Sequence, residues 1–113
     1  LFLLDAGRTD KVLKQLPEKF KKWDYIIAPE SQTQNMYSKK DLRLASKSID
    51  INVLSTSQEQ LICHDEYEPL LQPLLKPHGI ECIPTKMRHS ELFSGAFHCT
   101  SLDVNRDGNL ETY

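Results

Sequence analysis

Short apolar runs of strand length alternate with apolar stripes of helical period along this chain, and that alternation constrains the fold more than any other feature. Leu1 to Leu4 is an apolar run closed by Asp5-Ala6-Gly7, the pattern of a buried strand entering a turn. Thr9 then precedes Val12, Leu13, Leu16 and Phe20, which fall near a 3.6-residue period and predict a helix interrupted at Pro17. Trp23 to Ala28 is an aromatic and β-branched strand stopped by Pro29, and the polar stretch Glu30 to Lys40 reads as a surface loop. The order then recurs: strands at Ile49 to Leu54 and Gln60 to Cys63, a helix at Glu66 to Lys76, a turn at His78-Gly79 and a strand at Ile80 to Pro84. A loop over Thr85 to Leu92 leads to a last strand running from the Cys99 region toward Val104. Two successive strand–helix–strand patterns predict an α/β fold with helices covering the sheets. The 39% hydrophobic content of 113 residues suffices for one small domain or two small modules and is too little for a large multidomain enzyme.

Charge and cysteine usage narrow the partners. Fourteen Lys and Arg against sixteen Asp and Glu leave a net charge of −2, with no basic footprint for nucleic acid or for an anionic membrane surface. No apolar run approaches the roughly 20 residues that span a bilayer. Neither nucleic acid nor membrane is therefore expected as a partner. Cys63, Cys82 and Cys99 form no C-x-x-C pair, and their odd number does not suit a closed disulfide framework. A reducing, cytoplasmic setting is the simpler expectation. Because Leu1 opens directly into what reads as a buried strand, the chain is expected to be a piece of a longer protein.

Chemistry concentrates near the end of the sequence. In Ser94-Gly95-Ala96-Phe97-His98-Cys99, small residues precede the thiol and allow close approach of backbone or ligand. A cysteine is the strongest side-chain nucleophile once it is a thiolate. Cys63 and Cys82, flanked by strand residues, read instead as inert small hydrophobes. Further on, Asp103-x-Asn105-x-Asp107-Gly108-x-Leu110 matches the first eight positions of a calcium-binding EF-hand loop. That reading needs a helix ahead of Asp103 and a bidentate acid at the twelfth position, and a turn rich in Asx residues accounts for the same letters.

Phe97-His98-Cys99 followed by Asp103-Val104, Arg106, Gly108, Leu110 and Tyr113 resembles the C-terminal signature of glycine amidinotransferase and its relatives. Asn52-Val53-Leu54 is similar to that family's Asn-Val-Leu strand, Gly79-Ile80 to its Gly-Ile, Ala45-Ser46-Lys47 to a Ser-Ser-Lys substrate loop, and Arg8 to the Arg of its Asp-Arg turn. The resemblance implies a pentein fold, an α/β propeller of five ββαβ modules, of which this chain supplies about two: 1–45 and 46–113. It implies transfer of the amidino group of arginine to an amine acceptor such as glycine through a covalent intermediate on Cys99. Arg8 is then expected to pair with the substrate carboxylate and Ser46 to contact the same substrate, with no cofactor and no metal. The remaining N-terminal part of the parent is the implied protein partner, and the parent itself is expected in the cytoplasm or the mitochondrion.

Departures from the family pattern carry expectations of their own. Ser94-Gly95-Ala96 stands where the family carries a small residue and two glycines, so a positive φ at Ser94 or Ala96 would strain the turn. Thr100 replaces the bulky residue that usually follows the Cys. On the expected last strand His98 faces away from Cys99, which suggests packing or orientation as its role, and Asp103 lies about 13 Å along the strand. The family's His-x-Asp segment has no counterpart in the sequence, so the isolated chain is expected to be inactive. A catalytically silent pentein-like module is the alternative from another functional class.

Overall fold

Pro17 ends the first helix, and much of the N-terminal half follows from that stop. The computed structural model describes residues 1–31 and 48–105. Strand β1 (Phe2–Asp5) leads into helix α1 (Thr9–Gln15), which closes at Leu16 with ψ at 134°. The ring of a following proline pushes the residue before it out of the helical region. Phe20, expected on the same helix, therefore sits on a separate 3-10 turn, Glu18–Phe20. There its ring meets Trp23 edge-on at 5.2 Å, while Phe2 stacks on Trp23 at 5.2 Å, closing the end of the unit. Strand β2 (Tyr25–Ala28) returns parallel to β1, in register from Phe2 opposite Tyr25 to Asp5 opposite Ala28.

The second unit has ββαβ connectivity. Strand β3 (Leu54–Ser55) runs antiparallel to β4 (Gln60–His64), helix α2 (Glu68–Leu75) crosses over, and β5 (Glu81–Thr85) lies parallel to β4. Pro69 falls in the first turn of α2, where its missing N–H removes no helical bond. Gly79, with φ at 72°, supplies the left-handed residue that lets the chain turn into β5. The four leucines of α2 do not all reach the core: Leu71 and Leu75 are sealed, while Leu70 and Leu74 remain 38% and 40% exposed.

Alternation on β4 sends residues into two cores. Leu61 and Cys63 pack with Tyr67, Leu71, Leu75 and Cys82, and Ile26 of β2 joins them, so this cluster fastens the two-stranded sheet to the three-stranded one. The Tyr67 hydroxyl donates to the Pro29 carbonyl at 2.7 Å across the same junction. Ile62 points to the opposite face and helps to cover a smaller cluster of Ile49, Ala96 and Phe97.

Three expectations need correction here. Ile49 to Leu54 is not a continuous strand: Ile49–Ile51 forms a 3-10 turn, and only Leu54–Ser55 pairs. Its β-branched residues read as strand, but Asp50 is buried and accepts a hydrogen bond from Ser31, which holds the backbone in a turn. The expected loop over Thr85 to Leu92 contains the start of a short helix, α3 (Ser90–Phe93). The last strand toward Val104 is also absent, since residues 97–100 form a turn and 101–105 pair with no sheet. Thr100 accounts for this. Its N–H and hydroxyl both donate to the Ala96 carbonyl, at 3.1 and 2.9 Å, while the Ser101 hydroxyl donates to the His98 carbonyl at 3.0 Å. Local side-chain bonds of this kind compete successfully with a strand that has no partner. Among the described residues no helix is long and apolar enough to cross a membrane.

Candidate active site

The turn that carries Cys99 is fastened at its base and open at its tip. Helix α3 ends at Ser94 in the left-handed conformation, φ 55° and ψ 35°, and the Gly95 N–H donates back to the Ser90 carbonyl at 3.3 Å. A side chain at position 95 would place its Cβ 3.1 Å from the Cys99 Cβ, tight enough that the Cys99 turn would have to give by a few tenths of an ångström. Ala96 and Phe97 are then buried against Ile49, while His98, Cys99 and Thr100 stay exposed. Two apolar residues thus act as the anchor that presents the thiol.

Asn52 meets this turn from the other side. It follows the 3-10 turn Ile49–Ile51, and its own N–H donates to the Ile49 carbonyl at 3.0 Å. Its side-chain oxygen Oδ1 accepts from the Cys99 main-chain N–H at 3.1 Å, and its Nδ2 donates to the Cys99 Sγ at 2.8 Å. One amide therefore touches both the backbone and the sulfur of the same residue.

Arg8 lies at the far end of the sequence but lines the same hollow as Asn52. A hollow of about 550 Å³ is lined by Asp5, Arg8, Asn52, Ser94 and His98, with Leu4 and Ile49 among the residues of its wall. Arg8 reaches it because it caps α1: its N–H donates to the Asp5 carbonyl at 3.0 Å and its carbonyl accepts from Val12 at 3.0 Å, leaving the side chain exposed. Asp5, which accepts a hydrogen bond from the Ser48 hydroxyl, adds a carboxylate to the wall of the same hollow. A concave surface with one cation and one anion in its wall, and a thiol hydrogen-bonded to another of its lining residues, suits a small zwitterionic molecule. Because the Cys99 segment is a turn, strand alternation does not govern His98, which lines the hollow beside Asn52. Ser46 lies outside the described residues.

The other two thiols are placed differently. Cys63 is fully buried, and burial, with Cys82 close by, pushes its thiol up to about 12. Cys82 is also raised, chiefly by burial. Neither is suited to become a thiolate near neutral pH. Asp103 and Asn105 of the calcium-like pattern line a separate groove with Ser55, Thr56 and Ser57, and a turn rather than a helix precedes Asp103. Asp107 and Gly108 lie outside the described residues.

Two functional candidates escaped the sequence reading, Asn52 and Asp5. Asn52 is visible there only as one letter of the Asn-Val-Leu resemblance, and Asp5 only as a turn residue.

No family model matches the chain. Among curated proteins it is 33% identical over 101 residues to an L-arginine:L-lysine amidinotransferase of Pseudomonas savastanoi pv. phaseolicola, covering 89% of this chain and 27% of that protein. It is 31% identical over 113 residues to inosamine-phosphate amidinotransferase 1 of Streptomyces glaucescens, covering 100% of this chain and 31% of that protein. The mitochondrial glycine amidinotransferase of Danio rerio is 30% identical over 112 residues, covering 97% and 25%. Among solved structures, an amidinotransferase of the saxitoxin biosynthetic pathway from Microseira wollei superposes with a TM-score of 0.72 at 34% identity, over 89% of this chain and 27% of that one.

The chain belongs to the amidinotransferase family.

A second solved amidinotransferase, the inosamine-phosphate enzyme of Streptomyces griseus, agrees, with a TM-score of 0.74 at 32% identity over 88% of this chain and 28% of that one. The chain spans only about a quarter to a third of the length of the curated amidinotransferases it matches. The mixed α/β arrangement with small sheets is thus shared with amidinotransferase structures over most of this chain.

Proposed function

We propose that these residues form the nucleophile-bearing part of an amidinotransferase that moves the amidino group of arginine onto an amine. The observation that carries this reading is the exposed Cys99 thiol, hydrogen-bonded by Asn52, which lines one hollow together with Arg8. In this reading Arg8 pairs with the carboxylate of arginine, for which a planar guanidinium is well shaped, and Ser46 makes a second contact. The Cys99 thiolate attacks the guanidinium carbon. A carbon–sulfur bond forms, the bond to the side-chain nitrogen breaks, and ornithine leaves after taking up a proton. The acceptor amine then attacks the amidino carbon, loses a proton, and the carbon–sulfur bond breaks to restore the thiolate.

The acid and base that move these protons come, in this proposal, from sequence beyond these 113 residues, because no His-x-Asp occurs within them. The fold proposal is two modules of a five-module pentein, 1–45 and 46–113. The ββαβ connectivity of β3, β4, α2 and β5 supports the second of them. Glycine, lysine and inosamine-phosphate appear in the names of relatives and are the acceptors to try first.

The test is ornithine release from arginine by a protein carrying this chain at the length of its relatives, with each acceptor in turn. Release is expected, together with a loss of at least about 1,000-fold on Cys99→Ser, because a hydroxyl is a poor substitute in a site built for a thiolate. The 113-residue chain alone should release none. Undiminished turnover in the Cys99→Ser protein overturns the mechanism, and no release by the unsubstituted long protein favours the silent module.

A further inference from the structure

We infer that Asn52 is the positioning residue of Cys99: its amide fixes the cysteine main chain with one atom and orients the sulfur for attack with the other. This rests on the amidinotransferase reading above and adds to it a residue outside the nucleophile and the substrate anchors.

The orientation of the amide follows from its partners. A main-chain N–H can only donate, so Oδ1 must face the Cys99 nitrogen, at 3.1 Å, and that leaves the NH₂ group for the sulfur, at 2.8 Å. An amide flipped the other way would set donor against donor. Both ends of the contact stand on one apolar footing. Asn52 follows the 3-10 turn that begins at Ile49, the Cys99 turn rests on Ala96 and Phe97, and these three residues form a single buried cluster. The relative position of amide and sulfur is therefore set by packing, as a site that works by preorganisation requires. A hydrogen bond to an ionised acceptor is about twice as strong as one to a neutral acceptor, so the Nδ2 contact strengthens when the sulfur attacks as a thiolate.

A merely structural role, in which Asn52 only ties down the turn, makes a different forecast. Asn52→Asp is nearly isosteric and keeps an acceptor for the Cys99 N–H, but it sets a carboxylate oxygen against the sulfur in place of a donor. Asn52→Ala removes both contacts. The first measurement is the rate at which iodoacetamide alkylates Cys99 in the 113-residue chain near neutral pH, read by peptide mass spectrometry, with the buried Cys63 as an internal report on folding. Both variants should slow Cys99 alkylation about ten-fold or more, as loss of a charge-assisted hydrogen bond implies.

The second measurement is steady-state kinetics in the long protein, where Asn52→Asp should lower kcat about ten-fold or more while KM for arginine stays within about two-fold. Alkylation of Asn52→Asp at the unsubstituted rate overturns the inference. If the long protein releases no ornithine at all while alkylation slows as expected, the amidinotransferase proposal fails and the role of Asn52 at the sulfur stands.

Discussion

Among the described residues, two side-chain amides close on the main-chain N–H of a cysteine, and their second contacts differ. Gln72 on α2 accepts from the Cys82 N–H at 2.7 Å and donates to the Ile80 carbonyl at 3.0 Å. Both of its partners are backbone, and the contact pins the crossover helix to the strand that follows it. Asn52 accepts from the Cys99 N–H in the same way but turns its NH₂ onto the sulfur. The surroundings differ to match. Near Gln72 the sulfurs of Cys63 and Cys82 are sealed in apolar packing and held as neutral thiols, whereas the Cys99 residue that Asn52 meets is exposed. One amide serves as mortar and the other as an electrostatic partner, and burial decides which.

The largest effect should come from the sealed side of this comparison, through pH. Below about pH 9, the ordinary value of a thiol on this scale, folded and unfolded chains both keep the Cys63 proton. Between 9.0 and about 12 the unfolded chain releases it while the folded chain retains it, so each rise in pH favours unfolding. The contribution of Cys63 is present in full below pH 9 and is lost progressively toward 12, on the order of 4 kcal/mol for a shift of this size. Tyr67, raised above its ordinary value of 10.0 chiefly by burial, acts with the same sign. Urea midpoints measured from pH 8 to 11 should fall steadily above 9, and Cys63→Ala should weaken the fall. A flat profile would show that the sulfur is reached by water.

The contrast between the two sides was partly legible in the sequence. Apolar runs bounded by turn residues marked β1, β2, β4, β5 and α2, and the strand flanks of Cys63 and Cys82 marked them as packing residues, because periodic burial leaves a periodic trace. The segments at 49–54 and 97–104 misled, since the Asp50 contact and the Thr100 and Ser101 hydroxyls that bend them have no period. Small residues and the family resemblance pointed to Cys99. For Asn52 the resemblance marked a strand letter and not its role, because a polar contact across 47 residues appears only once the chain is folded. Ser46 stays an expectation, as it lies outside the described residues.

A middle-sized effect should separate the two amides directly. Gln72→Ala strips partners from a main-chain N–H and a carbonyl within the part-buried seam between α2 and β5. At about 1–3 kcal/mol for each orphaned group, partly offset by water, the loss should be about 2–4 kcal/mol. Asn52→Ala acts at an exposed contact, where water replaces the lost partners, and should cost less than about 1.5 kcal/mol. Chemical denaturation would measure both. Cys99 alkylation, slowed by the Asn52 change, should be unaltered by Gln72→Ala in conditions where that variant is folded. Equal effects of the two substitutions on Cys99 would erase the distinction.

The smallest effect concerns Ser94, which shapes the turn that leads to Cys99. Among the described residues it is the single non-glycine with positive φ, at 55°. A left-handed backbone costs an ordinary L-residue roughly 1–2 kcal/mol, because its Cβ crowds the following carbonyl oxygen. Ser94→Gly removes that strain but gives the unfolded chain more freedom, a penalty of about 0.5–1 kcal/mol, so a net gain near 0.5 kcal/mol is expected. For a chain of this size that corresponds to a rise of about 2–4 °C in Tm. Ala96, at the second glycine position of the family pattern, is buried and does not take a positive φ, so Ala96→Gly should instead lower stability by removing a packed methyl. Position 95 responds in the opposite sense to 94, since the Cβ of Gly95→Ala would lie 3.1 Å from the Cys99 Cβ and press on the turn itself. Calorimetric scans of the three variants therefore ask whether strain in this turn is confined to one residue. A fall in Tm for Ser94→Gly would mean that the serine makes a contact worth more than its strain, and the turn would then owe its shape to that side chain rather than to the glycine beside it.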